Sequence, residues 1–464
     1  MNYEEFLKQK DYVLKSSGFD IDKNELNPML YEFQKDIVRW ALAKGKACIF
    51  SECGTGKTPM QLEWGWQVHQ HTGGKILILA PLAVADQTRR EGEKFGIPTK
   101  VCESQEDCIE GINITNYEKL NRFVANEFVG IVLDESSILK SFTGKVRNSI
   151  IENFQNVPYK LACTATPAPN DYMELGNHAE FCGVMTRSEM LSMFFVHDGG
   201  QTSKWRLKGH AQDVFWQWMA SWSVFIDNPS NLGYQISGYD LPALHINEII
   251  VDGDKPITEN LTLTERRNAR KETLELRCKR AAELINNSNE QWLVWCDLNA
   301  EGELLEELIS ESKNVQGSDK PSYKSETMLS FSDENLKCLI SKPSLAGFGM
   351  NWQNCHNMIF TGLSDSFEQY YQAVRRCWRF GQEKEVNVYI IISAREGCVK
   401  ENIERKQKDF IAMRDAMIAL TKDITKKELK QTCRISTPYI PNVEMRLPRW
   451  EEFIGRNMEI NRAS

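Results

Sequence analysis

The stretch Glu52-Cys53-Gly54-Thr55-Gly56-Lys57-Thr58, preceded by the apolar run Ala47–Phe50, constrains this chain more than any other. It requires a short buried strand running into a glycine-rich turn, after which Lys57 and Thr58 open a helix. Gly54 and Gly56 let backbone N–H groups crowd around a polyphosphate, and the new helix directs its positive end at the same place. In such a loop the lysine, Lys57, reaches the outer phosphates, and the hydroxyl of Thr58 holds Mg²⁺. Pro59 falls in the first helical turn, where its missing N–H has no partner to lose. The generic eight-residue pattern begins with Gly, and Ser51 stands there instead. Gly54, Thr55, Gly56, Lys57 and Thr58 are therefore the candidate nucleotide-binding residues.

The segments that follow fit the same architecture. KILILAPLAV (Lys75–Val84) is continuously apolar, as a strand covered on both faces requires, and Gly111–Tyr117 is another strand. FVGIVLDESS ends its apolar run in Asp134 and Glu135, two carboxylates at the carboxyl end of a parallel strand, where open α/β sheets bind ligands. There Asp134 can reach a Mg²⁺ shell and Glu135 can orient an attacking water. LACTATPAPN (Leu161–Asn170) repeats the pattern with Thr164 and Thr166 at its exit. Strands alternating with helices predict a parallel α/β lobe. Ahead of it, Met29–Leu42 is an amphipathic helix carrying Gln34, an amide able to read the edge of an adenine.

The chain has 464 residues, enough for two or three domains, with 41% apolar and 26% charged residues. No apolar run reaches eighteen residues, and the first residues lack an apolar signal core, so neither a membrane span nor secretion is expected. Thirteen cysteines without a C-x-x-C pair read as buried thiols of a reducing compartment rather than a zinc site. His69 and His71 are too close in sequence to share a helical face as ligands. A net charge of −8 argues against a generally basic nucleic-acid coat but leaves room for a local basic track.

From about residue 171 to 240 the pattern changes to an aromatic-rich segment. Phe215, Trp218, Trp222 and Phe225 recur at helical spacing, which predicts core positions. KWRLKGH (Lys204–His210) places cations around a Trp, so Lys204 and Arg206 are candidates for phosphate contact. A second α/β unit begins near Leu241. It opens with a basic helix over about Leu263–Ile285, followed by strands at Trp292–Cys296, Leu336–Ser341 and Asn357–Phe360, a glycine-containing loop Ala346–Trp352, and QAVRRCWRFGQ (Gln372–Gln382). Arg376 and Arg379 are three apart and share a helical face. VNVYIII closes the unit, and an apolar stripe from Val399 to Leu420 predicts a long brace helix packed on a lobe.

The order of these motifs, from Met29 to Ile392, resembles the superfamily II helicases and, more closely, the Swi/Snf-type DNA translocases. The family's motifs match Gln34, Gly54–Thr58, Ala80–Leu82, Ile114–Tyr117, Asp134–Glu135, Thr164–Pro167, Gly347/Gly349/Asn351, and the series Gln372, Ala373, Arg376, Arg379, Gly381, Gln382. The last series is the most specific. The Trp-rich segment looks like that of phage- and prophage-encoded members. Three departures stand out: Ser136 and Ser137 close a box that usually ends in His or Asp, Ala346 replaces a Gly, and no W-N-P precedes the arginine motif.

The resemblance implies two tandem RecA-like parallel-sheet lobes, at 26–170 and 241–395. It adds a short lead-in (1–25), a helical aromatic-rich insertion (171–240), and a brace helix with tail (396–464). It also implies ATP and Mg²⁺ as cofactors. Gly349 would join the nucleotide site; Lys57, Glu135, Arg376 and Arg379 would carry hydrolysis, with Thr58 and Asp134 at the metal. Thr115, Thr164, Thr166, Gly347, Asn351 and Gln372 would contact or couple to nucleic acid. The expected function is an ATP-dependent translocase stimulated by duplex DNA, with little base specificity. A strand-separating helicase, a nucleotide-gated scaffold without turnover and a restriction-complex motor subunit are the alternatives. The expected setting is the cytoplasm of a bacterial or phage-infected cell, with partners in phage replication, recombination or restriction.

Overall fold

A computed structural model describes residues 16–430 except 82–83, 141–143, 170, 199–200, 253–262, 347–349, 365 and 395–396. The lead-in expected at 1–25 therefore lies mostly outside the described residues, as does the tail beyond 430. The described residues fall in one compact unit, Leu14–Thr432.

The first lobe is built on seven parallel strands in the order β3-β4-β2-β5-β6-β1-β9. The strands are β1 (Lys46–Ser51), β2 (Lys75–Ala80), β3 (Thr99–Val101), β4 (Ile112–Asn116), β5 (Phe128–Asp134), β6 (Tyr159–Thr164) and, much later, β9 (Ser223–Ile226). Its helices are α1 (Glu32–Lys44), α2 (Lys57–Thr72), α3 (Ala85–Lys94), α4 (Lys145–Asn153), α5 (Leu175–Phe181), α6 (Arg187–Phe194) and α7 (Gln212–Ala220). Buried side chains from alternate positions of the central strands feed two separate cores. Ile49, Ile76 and Val132 pack with α1 and α2, whereas Phe50, Leu77 and Leu133 pack with the aromatic segment. That is why these strands read as unbroken apolar runs.

The aromatic-rich segment is part of this lobe's architecture. Phe215, Trp222 and Phe225 are buried in the second of those cores. The helical spacing stops at Ala220, however, and Phe225 sits on β9, which pairs with β1 from Cys48↔Ser223 to Ser51↔Ile226. Outside both sheets, β7 (Phe195–Asp198) and β8 (Gln201–Leu207) form an antiparallel ribbon.

The second lobe has six parallel strands in the order β10-β15-β14-β11-β13-β12. These are β10 (Leu244–Ile250), β11 (Trp292–Trp295), β12 (Ser312–Val315), β13 (Cys338–Ser341), β14 (Asn357–Phe360) and β15 (Val386–Ile392). The expected basic helix is two: α8 (Leu263–Glu272) and α9 (Leu274–Asn286). The break falls at Thr273, whose hydroxyl bonds back to the carbonyl of Ala269 at 2.9 Å, a local bond that competes with helix continuation. Next come α10 (Asn299–Leu308), α11 (Pro321–Ser332), α12 (Pro343–Ala346) and α13 (Phe367–Val374).

Helix α14 (Gly397–Lys430) is the expected brace, and it packs on both lobes. Ile403 and Phe410 enter the second lobe's core, while Met417 and Ile418 enter the aromatic core of the first. Among the described residues no helix is long and apolar enough to cross a membrane. The described cysteines are free thiols, nearly all buried.

Candidate active site

At the end of β1 the chain turns through Gly54 (φ +89°) and Gly56 (φ +84°), both in the left-handed region, before α2 begins at Lys57. Space excludes a side chain as firmly as the dihedral does. A Cβ on Gly56 would sit 2.2 Å from Nε2 of Gln34, and one on Gly54 would sit 3.0 Å from the backbone nitrogen of Phe380. The loop is therefore held between a helix of its own lobe and the arginine segment of the other.

Gln34 divides its amide between this loop and the start of its own helix: Nε2 donates to the carbonyl of Thr55 at 2.9 Å, and Oε1 accepts from the N–H of Tyr31 at 2.9 Å. The Thr55 hydroxyl donates to the carbonyl of Glu52 at 2.7 Å. Lys57 folds its ammonium back to the carbonyls of Ser51 (2.9 Å) and Glu52 (3.3 Å). Thr58, in the first turn of α2, is half-buried.

Asp134 and Glu135 lie at the end of β5, both buried. Oδ1 of Asp134 accepts from Nε2 of Gln61 at 2.8 Å and from the N–H of Glu135 at 3.1 Å, and its carbonyl accepts from the Tyr117 hydroxyl at 2.6 Å. Burial pushes the Asp134 carboxyl up from its ordinary range, opposed by Gln61, Lys57 and Arg376. Burial does the same to Glu135, reinforced by Asp134 and Glu368 and opposed by Lys57 and Arg376. Glu135 also adopts φ +51°, a left-handed backbone that costs a non-glycine residue about 1 kcal/mol. Such strain persists where neighbouring groups dictate the geometry. Here it aims the carboxylate at the interface, where the Thr164 hydroxyl reaches Oε2 at 3.4 Å.

The second lobe meets this constellation through α13 and the turn after it. Arg376 is buried, its Nε donating to the carbonyl of Gln372 (2.9 Å) and Nη1 to that of Met350 (3.1 Å). From there its charge acts on both Asp134 and Glu135. Arg379 also donates to Met350 at 3.1 Å. Burial beside Arg376 pulls its guanidinium down to about 10, still a cation at neutral pH. Gln372 is fully buried with neither amide atom bonded within the protein.

Gln34, Gly54–Thr58, Asp134, Glu135, Thr164, Thr166, Arg376 and Arg379 are thus gathered at one interface, and Gln372 lies on α13 with its carbonyl bonded to Arg376. Thr115 is placed elsewhere. On β4, separated from β5 by β2, its buried hydroxyl donates to the carbonyl of Cys102 at 3.0 Å. Asn351 is half-buried beside Met350. Gly347 and Gly349 lie outside the described residues. Lys204 falls on β8 with its side chain also outside them, and Arg206 is exposed on the same strand. Lys208 caps the end of α6, donating to the carbonyls of Ser192 and Met193 at 2.9 Å each.

The interface also uses four residues that no motif in the sequence singles out. Glu52, Tyr371, Arg375 and Arg414 converge, with Arg375 Nη2 donating to the carbonyl of Cys53 at 3.1 Å. Two of them stand inside the quoted motifs, at positions the motif templates leave open.

Two parallel-sheet lobes, one with a glycine-rich phosphate loop and the other with arginines folded against it, define a two-lobed P-loop NTPase. Residues 25–169 match the family model described as type III restriction enzyme, res subunit, and residues 277–381 match helicase conserved C-terminal domain. Together these span more than half of the chain, and the protein belongs to the superfamily II helicase-type ATPases. Among solved structures, a Sulfolobus solfataricus SWI2/SNF2 ATPase core in complex with dsDNA is similar at 17% identity and a TM-score of 0.41, over 90% of this chain and 99% of that one. No curated protein sequence matches.

Proposed function

We propose that this protein is a Swi/Snf-type motor that hydrolyses ATP and is driven along duplex DNA by the resulting cycle of lobe closure. The observation that carries the reading is the seating of the second lobe's arginine segment on the phosphate loop of the first: Arg375 Nη2 donates to the Cys53 carbonyl at 3.1 Å, and Phe380 and Arg379 pack against Gly54. The phosphate loop and Lys57 grip the triphosphate. Glu135 orients the attacking water and takes up its proton, burial raising the carboxylate's affinity for it. Arg376 and Arg379 meet the charge that develops on the transferred phosphoryl group. An arginine so placed is worth about 10³ to 10⁵ in turnover, so hydrolysis requires the lobes together.

Thr58 and Asp134 are the residues that would hold Mg²⁺. Among the described residues no group of three or more His, Cys, Asp or Glu side chains gathers as a self-sufficient metal cage. A hydroxyl and a carboxylate are the oxygen donors that Mg²⁺ takes, and when bound it would neutralise the phosphates. Assignment to the Swi/Snf branch rests on the series Gln372 to Gln382. Nucleic acid lying across both lobes favours closure, and so couples hydrolysis to a step.

The test is ATP hydrolysis without nucleic acid and with single-stranded DNA, duplex DNA or RNA. The largest stimulation is expected with duplex, weakening steeply with salt. Equal rates with and without duplex at saturating ATP would remove the reading. Strand separation is a second reading, favoured by the β7–β8 ribbon that stands outside both sheets with Arg206 exposed on it. A forked-duplex unwinding assay decides between the two.

A further inference from the structure

Glu52, the first residue after β1, is buried with only 7% of its side chain exposed, and it faces three groups from the far half of the chain. Its Oε2 accepts the hydroxyl proton of Tyr371 and lies 3.5 Å from Nη1 of Arg414. Oε1 accepts the Cys53 N–H at 2.6 Å and lies 3.5 Å from Nε of Arg375. Tyr371 and Arg375 are one turn apart at the end of α13, directly before the arginine pair. Arg375 is fixed from the other side by the Trp378 ring, 4.9 Å from its guanidinium carbon. Arg414 comes from α14, one turn after Phe410, whose ring packs against Phe367 and Tyr371 at 5.3 and 5.2 Å. The turn after Arg414 carries Met417 and Ile418 into the first lobe's core. Helix α14 therefore crosses the junction of the lobes, with Arg414 at the crossing.

A buried carboxylate with three polar partners from the far half of the chain, on a loop that needs cations for phosphate, requires a reason. We propose that Glu52 is a positioning residue: its carboxylate docks the arginine-bearing helix of the second lobe on the phosphate loop, and Arg414 ties that dock to α14. Helix α14 then sets how readily Arg376 and Arg379 come to the triphosphate. Glu52 touches no reacting atom in this scheme. It acts through Tyr371 and Arg375, whose displacement carries the arginine pair with it because all four side chains stand on α13 and the turn after it. The kinetic consequence rests on the ATPase reading above; the docking itself does not.

The experiment uses the full chain as wild type, Glu52→Gln, Arg375→Gln, their double variant, and Arg414→Gln. Three quantities are measured: affinity for a fluorescent ATP analogue, the single-turnover rate at saturating ATP and duplex, and the small-angle scattering radius of the free protein. Glu52→Gln and Arg375→Gln are expected to enlarge the radius and slow the saturated rate about tenfold or more, with nucleotide affinity within about threefold. The double variant should lose little beyond either single, because both break one contact set. Arg414→Gln, at a side chain 27% exposed and on a different helix, should also enlarge the radius and should slow the rate about threefold, and it remains informative if Glu52→Gln fails to fold. An unchanged radius in all the variants overturns the proposal, as does a loss confined to nucleotide affinity. A wild type that hydrolyses nothing removes the ATPase reading, while the radius still decides the docking.

Discussion

Thr166, at the exit of β6 in the first lobe, donates its hydroxyl to Oε1 of Glu368, on α13 of the second, at 3.2 Å. The bond ends a chain that begins at the active site. The Thr164 hydroxyl reaches Oε2 of Glu135 at 3.4 Å, the Thr166 N–H donates to Oγ1 of Thr164 at 3.1 Å, and Lys140 pairs with the other oxygen of Glu368. The acidic box of this chain closes with Ser136 and Ser137, so it has no imidazole to reach across. The two threonines and Glu368 supply a connected route from the same strand end to the helix that leads into the arginines.

Glu368→Ala is expected to cut the saturated, duplex-stimulated rate by about tenfold or more, the equivalent of one hydrogen bond to a charged group. The KM for ATP should change by no more than about threefold, because Glu368 does not face the loop that grips the phosphates. Steady-state kinetics at fixed duplex checks the split. A KM effect with unchanged turnover would make Glu368 a support of the nucleotide site instead.

Arg376→Ala and Arg379→Ala should each lower turnover by about 10³-fold while leaving ATP analogue binding within about an order of magnitude. Lysine at either position should recover little, since a point charge does not reproduce the planar fork with which each bonds the Met350 carbonyl and keeps further N–H donors for a phosphoryl group. Single-turnover rates and equilibrium binding on the same samples test this. Binding losses as large as the rate losses would contradict it.

His178 gives a pH dependence of stability. Fully buried on α5, its Nε2 lies 3.1 Å from Oγ of Ser136 and its ring meets Phe50 edge-on. Burial pulls its pKa from 6.5 down to about 4. Between those values the unfolded chain binds a proton that the folded protein refuses, so stability falls as pH drops through this window and is fully retained above it. The contribution is on the order of 3 kcal/mol. Urea unfolding at pH 7, 5.5 and 4.5 should show the loss, and His178→Asn should flatten it. Equal slopes for the two proteins would refute the assignment.

Much of the first lobe is legible in the chain because its strands are covered on both faces. β1, β2 and β5 are nearly unbroken apolar runs whose neighbours in sequence already specify them, and β6 carries Leu161–Cys163 after the buried Lys160. β9 was not legible as a strand. Its four residues, SVFI, follow an aromatic helix whose spacing they continue, and only the open edge beside β1 selects the extended form. β12, with the polar sequence SKNV, and β10, with Ile246 and Ile250 about half exposed, carry no period that a local reading can use.

The phosphate loop, the carboxylates at the end of β5 and the arginine pair were determined by sequence alone, because each is a short stretch whose chemistry depends on adjacent residues. The partnership of Glu52 with Tyr371, across 319 positions, and with Arg375 and Arg414 was decided by tertiary structure. Nothing near Glu52 in the chain distinguishes a carboxylate left in water from one buried between two lobes. That difference comes from desolvation, and desolvation exists only once the second lobe and α14 have closed over it.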